Sequence, residues 1–206
     1  IGSIAYINQN LKKLQKNMLA GFVINCAGDD RDYSFVQTPQ KNTFTDEIMR
    51  SSFIGFKKKS IYEFKNRASD ERQYCSPGVE LPVCSFSRSK AGSKTFPEYH
   101  TSLDNFNLVN QKGLEGSFEV FKNIIDGLEL NAFPRAKNKC EPFLTKRKMY
   151  PSISKGYLEK DLKNLLDILA YSNGKRSIFQ ISLILNLDLK ICLSIIKKLK
   201  ANNLID

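Results

Sequence analysis

Two polar loops containing aromatic residues flank a short apolar run in the first half of the chain. The first reads Ser-Asp-Glu-Arg-Gln-Tyr over residues 69–74, and the second reads Pro-Glu-Tyr-His-Thr-Ser-Leu-Asp-Asn over residues 97–105. The run between them, residues 79–86, predicts one buried strand. The second loop holds His100, the chain's single histidine, and histidine is well suited to bind a metal or move a proton near neutral pH. The pattern favours loops that carry chemistry on a rigid scaffold.

Asp29 is the second candidate for chemistry. It follows the apolar run 20–28, which comes after a helical segment and therefore predicts a buried strand of a parallel sheet. Open α/β sheets bind their ligands beyond the carboxyl ends of strands. The competing interpretation is that Asp29 caps a turn, just as His100 could be a surface imidazole hydrogen-bonded within its loop.

The elements that would position these residues alternate between helix and strand. Helical spacing predicts a first helix that carries Ile4, Ile7, Leu11 and Leu14. Short strands are predicted at 33–36 and 61–64, and Thr43 or Thr45 could cap a helix that runs toward Phe53. A long helix is predicted over 111–130, with one apolar face made of Leu114, Phe118, Phe121, Ile125 and Leu128. This order favours an α/β layer arrangement.

A second, smaller module is predicted after a connector that contains prolines and basic residues, 131–154. A leucine stripe over 162–169 predicts one helix. Ser177 and Asp188 are suitable caps for two more helices, which carry the apolar residues of 178–185 and 192–199. Three short helices with tight turns are typical of a helix-turn-helix.

Composition indicates a soluble globular protein without a membrane span. The 206 residues are 41% hydrophobic and 26% charged, and no apolar run approaches the ~20 residues that cross a bilayer. Five scattered cysteines without a CxxC pair argue against a disulfide framework and favour a reducing cytoplasm. The net charge of +11 is spread along the chain, because residues 157–206 hold eight basic and five acidic side chains. The charge therefore gives no focus for nucleic-acid binding.

The two loop motifs, together with Leu-Pro-Val at 81–83, closely resemble a bacterial family of aminopeptidase-like proteins. Members of that family are often linked by name to polysaccharide biosynthesis and otherwise carry a domain of unknown function. The resemblance implies a three-layer phosphorylase/hydrolase-like α/β/α core of the zinc aminopeptidase type. Residues 157–206 look like the family's winged helix-turn-helix appendage.

The resemblance also implies roles for individual residues. His100 stands where zinc aminopeptidases have their last zinc ligand, and Asp29 stands where they have a carboxylate ligand. Asp70 matches an aspartate that supports the site from behind the ligands, and Glu71 stands where those enzymes have histidine. Tyr74 and Tyr99 are expected to line the substrate end.

The family pattern contains three further groups that this sequence lacks: an earlier histidine, a bridging aspartate and a glutamate that acts as general base. The resemblance puts that glutamate immediately before Ile1, so we expect the chain to be the carboxyl-terminal part of something longer. A catalytic zinc needs about three protein ligands and an open position, and its water needs a base. Asp29 and His100 would be half of such a site.

The sequence therefore predicts a partial aminopeptidase-like domain over 1–131, a linker over 132–156 and a winged helix-turn-helix over 157–206. The expected activity is zinc-dependent hydrolysis of a peptide or amide bond in a small substrate, by a chain that could assemble with its own copies. A binding module is the alternative, with Lys190, Lys197, Lys198 and Lys200 of the last helix in a major groove. That helix lacks base-reading side chains in its first turns, which argues against nucleic acid. A remnant without activity is the third interpretation.

Overall fold

The computed structural model describes residues 1–94, 96–130, 132–142, 144 and 160–206. The described chain divides into two compact units, Ile1–Phe121 and Lys122–Asp206. Most of the predicted linker after residue 142, and the start of the predicted tail before residue 160, lie outside the described residues. The domain boundaries therefore stay a prediction.

Helices and short strands make up the first unit, as the sequence predicts, although the stretch 69–74, predicted as a loop, contains a short helix. The helices of the described chain are α1 (Gly2–Asn17), α2 (Phe44–Ser52), α3 (Glu71–Tyr74), α4 (Gln111–Glu129), α5 (Lys160–Tyr171), α6 (Ile178–Leu185) and α7 (Leu189–Ala201). The strands are β1 (Gly21–Ile24), β2 (Ser34–Val36), β3 (Ser60–Tyr62) and β4 (Val83–Ser87). A 3₁₀ turn, Phe64–Asn66, connects β3 to the loop before α3.

The four strands form one mixed sheet in the order β1-β4-β2-β3. Strand β1 runs parallel to β4, and β2 runs parallel to β3 but antiparallel to β4. The carboxyl ends of β1 and β4 and the start of β2 consequently meet at one edge of the sheet. We call the residues that leave β1 and β4 there, 25–33 and 88–100, the rim.

Helices pack on both faces of this sheet. Successive side chains of a strand point to opposite faces. Val83 packs with Cys75, Leu14 and Met18 on the side of α1 and α3. On the other side, the ring of Phe86 lies 5.1 Å from that of Phe121 in α4 and 6.3 Å from that of Phe53 at the end of α2. The predicted α/β architecture is confirmed, with the sheet between two helical layers.

Helix α2 begins at the first of the two threonines that the sequence offers as caps. The Thr43 hydroxyl accepts a hydrogen bond from the Asp46 amide, and the Asp46 side chain accepts one from the Thr43 amide. This reciprocal capping box satisfies two amides at the helix start. The Thr45 hydroxyl instead donates to the Pro82 carbonyl over 2.6 Å, which ties the helix to the start of β4.

The predicted inward face of α4 is wrong at three of its five residues, whereas Phe121 packs against Phe22 and Phe86 and Leu128 is half-buried. Leu114, Phe118 and Ile125 are 53%, 67% and 56% exposed. The buried face lies beside them and consists mainly of small residues: Gly113, Ser117, Val120, Ile124 and Gly127. The helix therefore packs through its small residues, and three of its large apolar side chains are exposed to solvent.

The tail contains the three helices that the sequence predicts. Ser177 caps α6 by accepting a hydrogen bond from the Gln180 amide, and Asp188 caps α7 by accepting one from the Lys190 amide. Asn186 ends α6 in the left-handed conformation at φ 47°, which is a common way to stop a helix. Single bridges join Arg135 to Asn173 and Ala136 to Ile205.

We predict that Ser177→Ala lowers the free energy of unfolding by about 1 kcal/mol, because the Gln180 amide loses its acceptor at a buried helix start. Chemical denaturation followed by circular dichroism measures the change. The matched control is Ser194→Ala on the exposed side of α7, for which we expect no loss. Equal effects of the two substitutions would contradict the role of this cap.

All five cysteines are free thiols, as expected from their spacing. Burial raises the pKa of Cys75 to about 11 and that of Cys192 to about 12. Within the described ranges, no helix combines the length and apolar character that crossing a bilayer requires.

Candidate functional site

Asp29 holds the rim together. Its side chain is 3% exposed. The Ser89 amide and hydroxyl donate to its carboxylate over 3.1 and 2.9 Å, and the Arg31 amide donates over 3.0 Å. Because Asp29 follows β1 and Ser89 follows β4, these bonds join the exits of two parallel strands. The carboxylate thus performs the turn-capping role that the sequence allowed, and in addition it makes a long-range contact.

Arg31 extends this network to the loop that carries His100. Its Nε lies 3.3 Å from Asp29, and its Nη1 lies 3.1 Å from both carboxylate oxygens of Glu98. Burial alone would lower the pKa of Arg31, but the bonds to Glu98 and Asp29 outweigh that effect and raise it. In this charge-assisted contact a single guanidinium nitrogen reaches both carboxylate oxygens, which pairs the charges and restricts the position of Glu98. Arg31 therefore positions the start of the 97–105 loop against Asp29.

His100 lies two residues beyond Glu98 and is exposed. Its imidazole stacks on the ring of Tyr99 with centroids 3.8 Å apart. The His100 backbone has φ 61°, and Cys26 on the other half of the rim has φ 44°. Left-handed backbone at residues other than glycine costs of order 1–3 kcal/mol and concentrates at functional sites. Both residues occur in the rim, and four other described residues outside it, Lys41, Glu80, Asn186 and Asn203, have the same conformation.

Whether zinc fits this rim depends on the ligand atoms that Asp29 and His100 can offer. Asp29 Oδ1 accepts three hydrogen bonds and Oδ2 accepts one from the described residues, so Oδ2 keeps acceptor capacity. His100 has no hydrogen-bond partner in the described chain and is free to bind an ion. However, no cluster of three metal-binding side chains occurs among the described residues. Asp29 and His100 alone do not make a zinc site.

Two other predicted site residues make their described contacts elsewhere in the first unit. Asp70 is exposed at the start of α3 and accepts a hydrogen bond from the Ser3 hydroxyl over 3.1 Å. Tyr74 is half-buried and packs against the cluster of Cys75, Leu81 and Val83. Burial, together with the negative charge of Asp70, raises the pKa of Tyr74. The described contacts link neither side chain to Asp29 or His100.

A cavity of about 140 Å³ opens on the α3 side of the sheet, beside the rim. Its walls combine polar and apolar surface and consist of Asn25, Cys26, Val36, Ala68, Ser69, Glu71, Ser85, Ser87, Lys90, Ala91 and Tyr99. Of the two predicted substrate-binding tyrosines, Tyr99 lines this cavity and Tyr74 does not. The His100 ring stacks on Tyr99, so the predicted metal ligand is next to a cavity-lining residue without lining the cavity itself.

Sequence reasoning missed the groups that organise this site. Arg31, Ser89 and Glu98 connect the loops. Glu71, which the resemblance named only as the position of a histidine in the zinc enzymes, has a buried carboxylate and lines the cavity. The available signal was the concentration of charged and hydroxyl residues directly after two apolar runs, 28–32 and 87–90. Only the pairing of β1 with β4 turns those two stretches into neighbours.

The lysines of α7 do not form an uninterrupted free surface. Lys197 lies 3.2 Å from Asp126 in the same unit, which lowers the pKa of Asp126. Lys198 and Lys200 are exposed near the end of the helix. These contacts do not favour nucleic-acid binding by α7, and the absence of a nucleic-acid partner stays a prediction.

Comparison with known proteins now identifies the family. Residues 1–131 match the family described as Domain of unknown function (DUF4910), and residues 132–206 match the winged helix-turn-helix family. The chain belongs to the DUF4910 family. Its carboxyl-terminal part is a winged helix-turn-helix, as the sequence predicted.

Relatives of this DUF4910 chain come from Clostridium acetobutylicum. A curated protein named for polysaccharide biosynthesis, with an aminopeptidase-like domain, is 35% identical over 185 residues, which are 88% of this chain and 42% of that protein. A crystal structure of a provisionally assigned peptidase is 29% identical, with a TM-score of 0.80, over 99% of this chain and 45% of the other. The chain thus spans less than half the length of each. The predicted resemblance to aminopeptidase-like proteins is confirmed.

Proposed function

We propose that this chain forms part of a zinc-dependent aminopeptidase-like hydrolase that cleaves a peptide or amide bond. Asp29 and His100 would be metal ligands in that enzyme, and further ligands and the general base would come from residues outside this sequence. Zinc would supply an activated water. Asp70 would support the site indirectly, and Tyr74 and Tyr99 would contact substrate.

One observation carries this proposal. The rim brings a carboxylate with spare acceptor capacity, Asp29, into one hydrogen-bonded network with the loop of the single histidine. These residues are 71 positions apart in sequence. The aminopeptidase-like name of the relative supports the same class of reaction. The polysaccharide-related part of that name supports an amino-sugar or peptide-bearing precursor of a surface polysaccharide as the substrate. The free thiols support a location in the cytoplasm.

The test compares zinc content and hydrolysis in wild type and in His100→Ala. It uses both the 206-residue chain and the full-length Clostridium relative with its corresponding histidine changed. We expect the full-length protein to retain zinc after dialysis and to hydrolyse an aminoacyl p-nitroanilide. Loss of the imidazole should weaken zinc binding by more than the roughly 10–100-fold that loss of an outer partner costs.

The matched control is Ser102→Ala, an exposed position in the same loop. This substitution leaves both proposed ligands in place, so zinc content and rate should not change. Absence of zinc from full-length wild type and variant alike, measured by mass spectrometry of the metal, would remove the proposal.

A further inference from the structure

Arg88 carries a buried positive charge for which the described chain provides no counterion. It follows β4, and 2% of its surface is exposed. Its Nε donates to the Asp32 carbonyl over 2.6 Å, and its Nη1 donates to the Gly113 carbonyl over 3.1 Å. Among the described residues, no carboxylate forms an ion pair with it. A buried charge is costly unless it is paired as well as hydrogen-bonded, so this guanidinium calls for an anion.

One nitrogen of the Arg88 guanidinium is available to such an anion. The two donated bonds, and the Tyr33 ring whose centre lies 3.7 Å from Arg88 Cζ, fix the orientation of the group. Nη2 has no hydrogen-bond partner in the described chain, and it is not one of the buried unpartnered atoms, so it keeps contact with solvent. Arg88 also lines a cavity of about 270 Å³. Nη2 is therefore the Arg88 atom that a ligand in this cavity can reach.

The wall of this cavity has an excess of positive charge. It is formed by the loop between β1 and β2, the stretch after α2, the exit of β4 and the start of α4. It carries five basic side chains and two carboxylates: Arg31, Lys57, Lys58, Arg88 and Lys112, with Asp30 and Asp32. A concave wall with this balance of charge attracts anions.

Both carboxylates of the wall already have partners. Asp30 lies 3.3 Å from Lys112. The Asp32 carboxylate accepts hydrogen bonds from the Tyr33 amide over 2.8 Å and from the Ser60 hydroxyl over 2.6 Å. Neither carboxylate therefore neutralises the buried guanidinium.

Two exposed lysines of the wall are free to contact a ligand. The charge of Arg31 is matched by Asp29 and Glu98, but Lys57 and Lys58 form no ion pair within the described ranges. A lysine ammonium sits on a flexible stem and offers three rotatable donors. One fixed cation and two adjustable ones therefore remain for an anionic ligand.

We infer that this cavity binds a phosphate group, with Arg88 Nη2 as a fixed donor and Lys57 and Lys58 as the cations around it. A phosphate monoester carries about 1.5–2 negative charges at neutral pH and three strong acceptor oxygens. Several cations match that charge better than they match the single charge of a carboxylate. The volume of about 270 Å³ is slightly below the roughly 300–1,000 Å³ of pockets for drug-sized ligands, so the ligand is small.

This inference adds a substrate feature to the proposed function, and in that respect it rests on it. Arg31, whose Nε lies 3.3 Å from Asp29, also lines the cavity. A substrate whose phosphate occupied the cavity would therefore lie beside the hydrogen-bond network of the predicted metal ligand. The substrate would be a small phosphorylated molecule, and Arg88 would be a positioning residue.

The experiment measures anion binding without hydrolysis. Sodium phosphate and sodium acetate are titrated into the metal-free 206-residue chain near neutral pH at constant ionic strength, and amide resonances are followed by NMR. We expect saturable shifts with phosphate at Phe56, Lys57 and Arg88. Phosphate should bind about tenfold or more tightly than acetate, because it makes more hydrogen bonds to charged groups. Equal binding of the two anions, or no binding of phosphate, would overturn the inference.

The first variant combines Lys57→Gln with Lys58→Gln, which changes two exposed positions and should not affect folding. It should bind phosphate about tenfold more weakly, since charge-assisted contacts are lost. The matched control combines Lys12→Gln with Lys13→Gln, an adjacent exposed pair in α1 outside the cavity. Both double variants lose the same charge, so equal phosphate affinities would overturn the assignment to this cavity.

Arg88→Lys tests the fixed donor. This variant keeps the charge but lacks the planar group that holds two carbonyls and still presents a free nitrogen, so we expect phosphate to bind about tenfold more weakly. Wild-type affinity would overturn the role of Arg88. If the variant does not fold, the two lysine variants remain decisive.

Glucose 1-phosphate distinguishes a phosphorylated substrate from the free ion. Tighter binding than that of inorganic phosphate would support the link to a substrate. Equal or weaker binding would overturn that link and assign the cavity to inorganic phosphate. Because the protein is free of metal, a failed zinc experiment leaves these results untouched.

Discussion

Asp29→Ala is expected to lower the free energy of unfolding by about 3 kcal/mol. The substitution leaves the buried Ser89 amide and hydroxyl without their acceptor, at about 1–3 kcal/mol for unsatisfied buried groups. It also removes one of the two carboxylates that neutralise Arg31. Breaking a fully buried ion pair costs about 3–5 kcal/mol. The contribution of this pair is smaller, because the Arg31 side chain is 34% exposed. Urea denaturation gives the value.

The adjacent Asp30→Ala is the matched control. Asp30 pairs with Lys112 over 3.3 Å, but the side chains are 35% and 82% exposed. Exposed pairs of this kind contribute about 0–1 kcal/mol. If the two substitutions lower the free energy of unfolding equally, the hydrogen-bond network around Asp29 does not stabilise the rim as we describe.

Gly113→Ala is expected to cost about 2–3 kcal/mol and to move the loop that carries Asp29. A Cβ at this position would lie 2.0 Å from the Gly28 carbonyl oxygen and 2.6 Å from that of Asp29. Both atoms belong to backbone, so no side chain can rotate away, and overpacking of this kind typically costs about 1–3 kcal/mol. Denaturation measures the loss, and the amide resonances of residues 28–31 should report the displacement.

Gly2→Ala tests whether the effect comes from the close contact. Gly2 is also helical, but a Cβ there meets nothing within 4 Å. Replacing glycine by alanine in an open helical position stabilises by up to about 1 kcal/mol. A loss at Gly2 similar to that at Gly113 would mean that the close approach of α4 to the β1 exit is not responsible.

The parts of the fold that depend on neighbouring residues could be predicted from sequence. The sequence offered Thr43 or Thr45 as the cap of α2, and the structure has Thr43. The caps Ser177 and Asp188 were each named from their position before an apolar helical run. In each case the atoms that form the bond lie within one helical turn. The presence and type of these elements were therefore accessible without coordinates.

The orientation of α4 could not be predicted in this way. Periodicity identifies an apolar stripe, and Leu114, Phe118 and Ile125 form one. Packing is decided instead by the close approach of Gly113 to Gly28 and by the Ser117 hydroxyl, which donates to the Ala27 carbonyl over 2.7 Å. Small residues carry almost no hydrophobic signal, so a stripe made of them is overlooked.

The candidate site was only partly accessible for a related reason. Asp29 and His100 could be named from position and resemblance, but the bonds through Ser89, Arg31 and Glu98 depend on β1 lying beside β4. Strand order is a long-range property that a single sequence does not encode locally. Glu71 Oε2, which is buried and has no hydrogen-bond partner among the described residues, likewise cannot be recognised until the burial of each atom is known.

The outward face of α4 also affects how the molecule behaves in water. The exposed side chains of Leu114, Phe118 and Ile125 restrict the water molecules around them, and a surface that covers these side chains releases that water. Molecules at high concentration should therefore adhere to one another through this side, and a mild detergent should disperse them more readily than added salt.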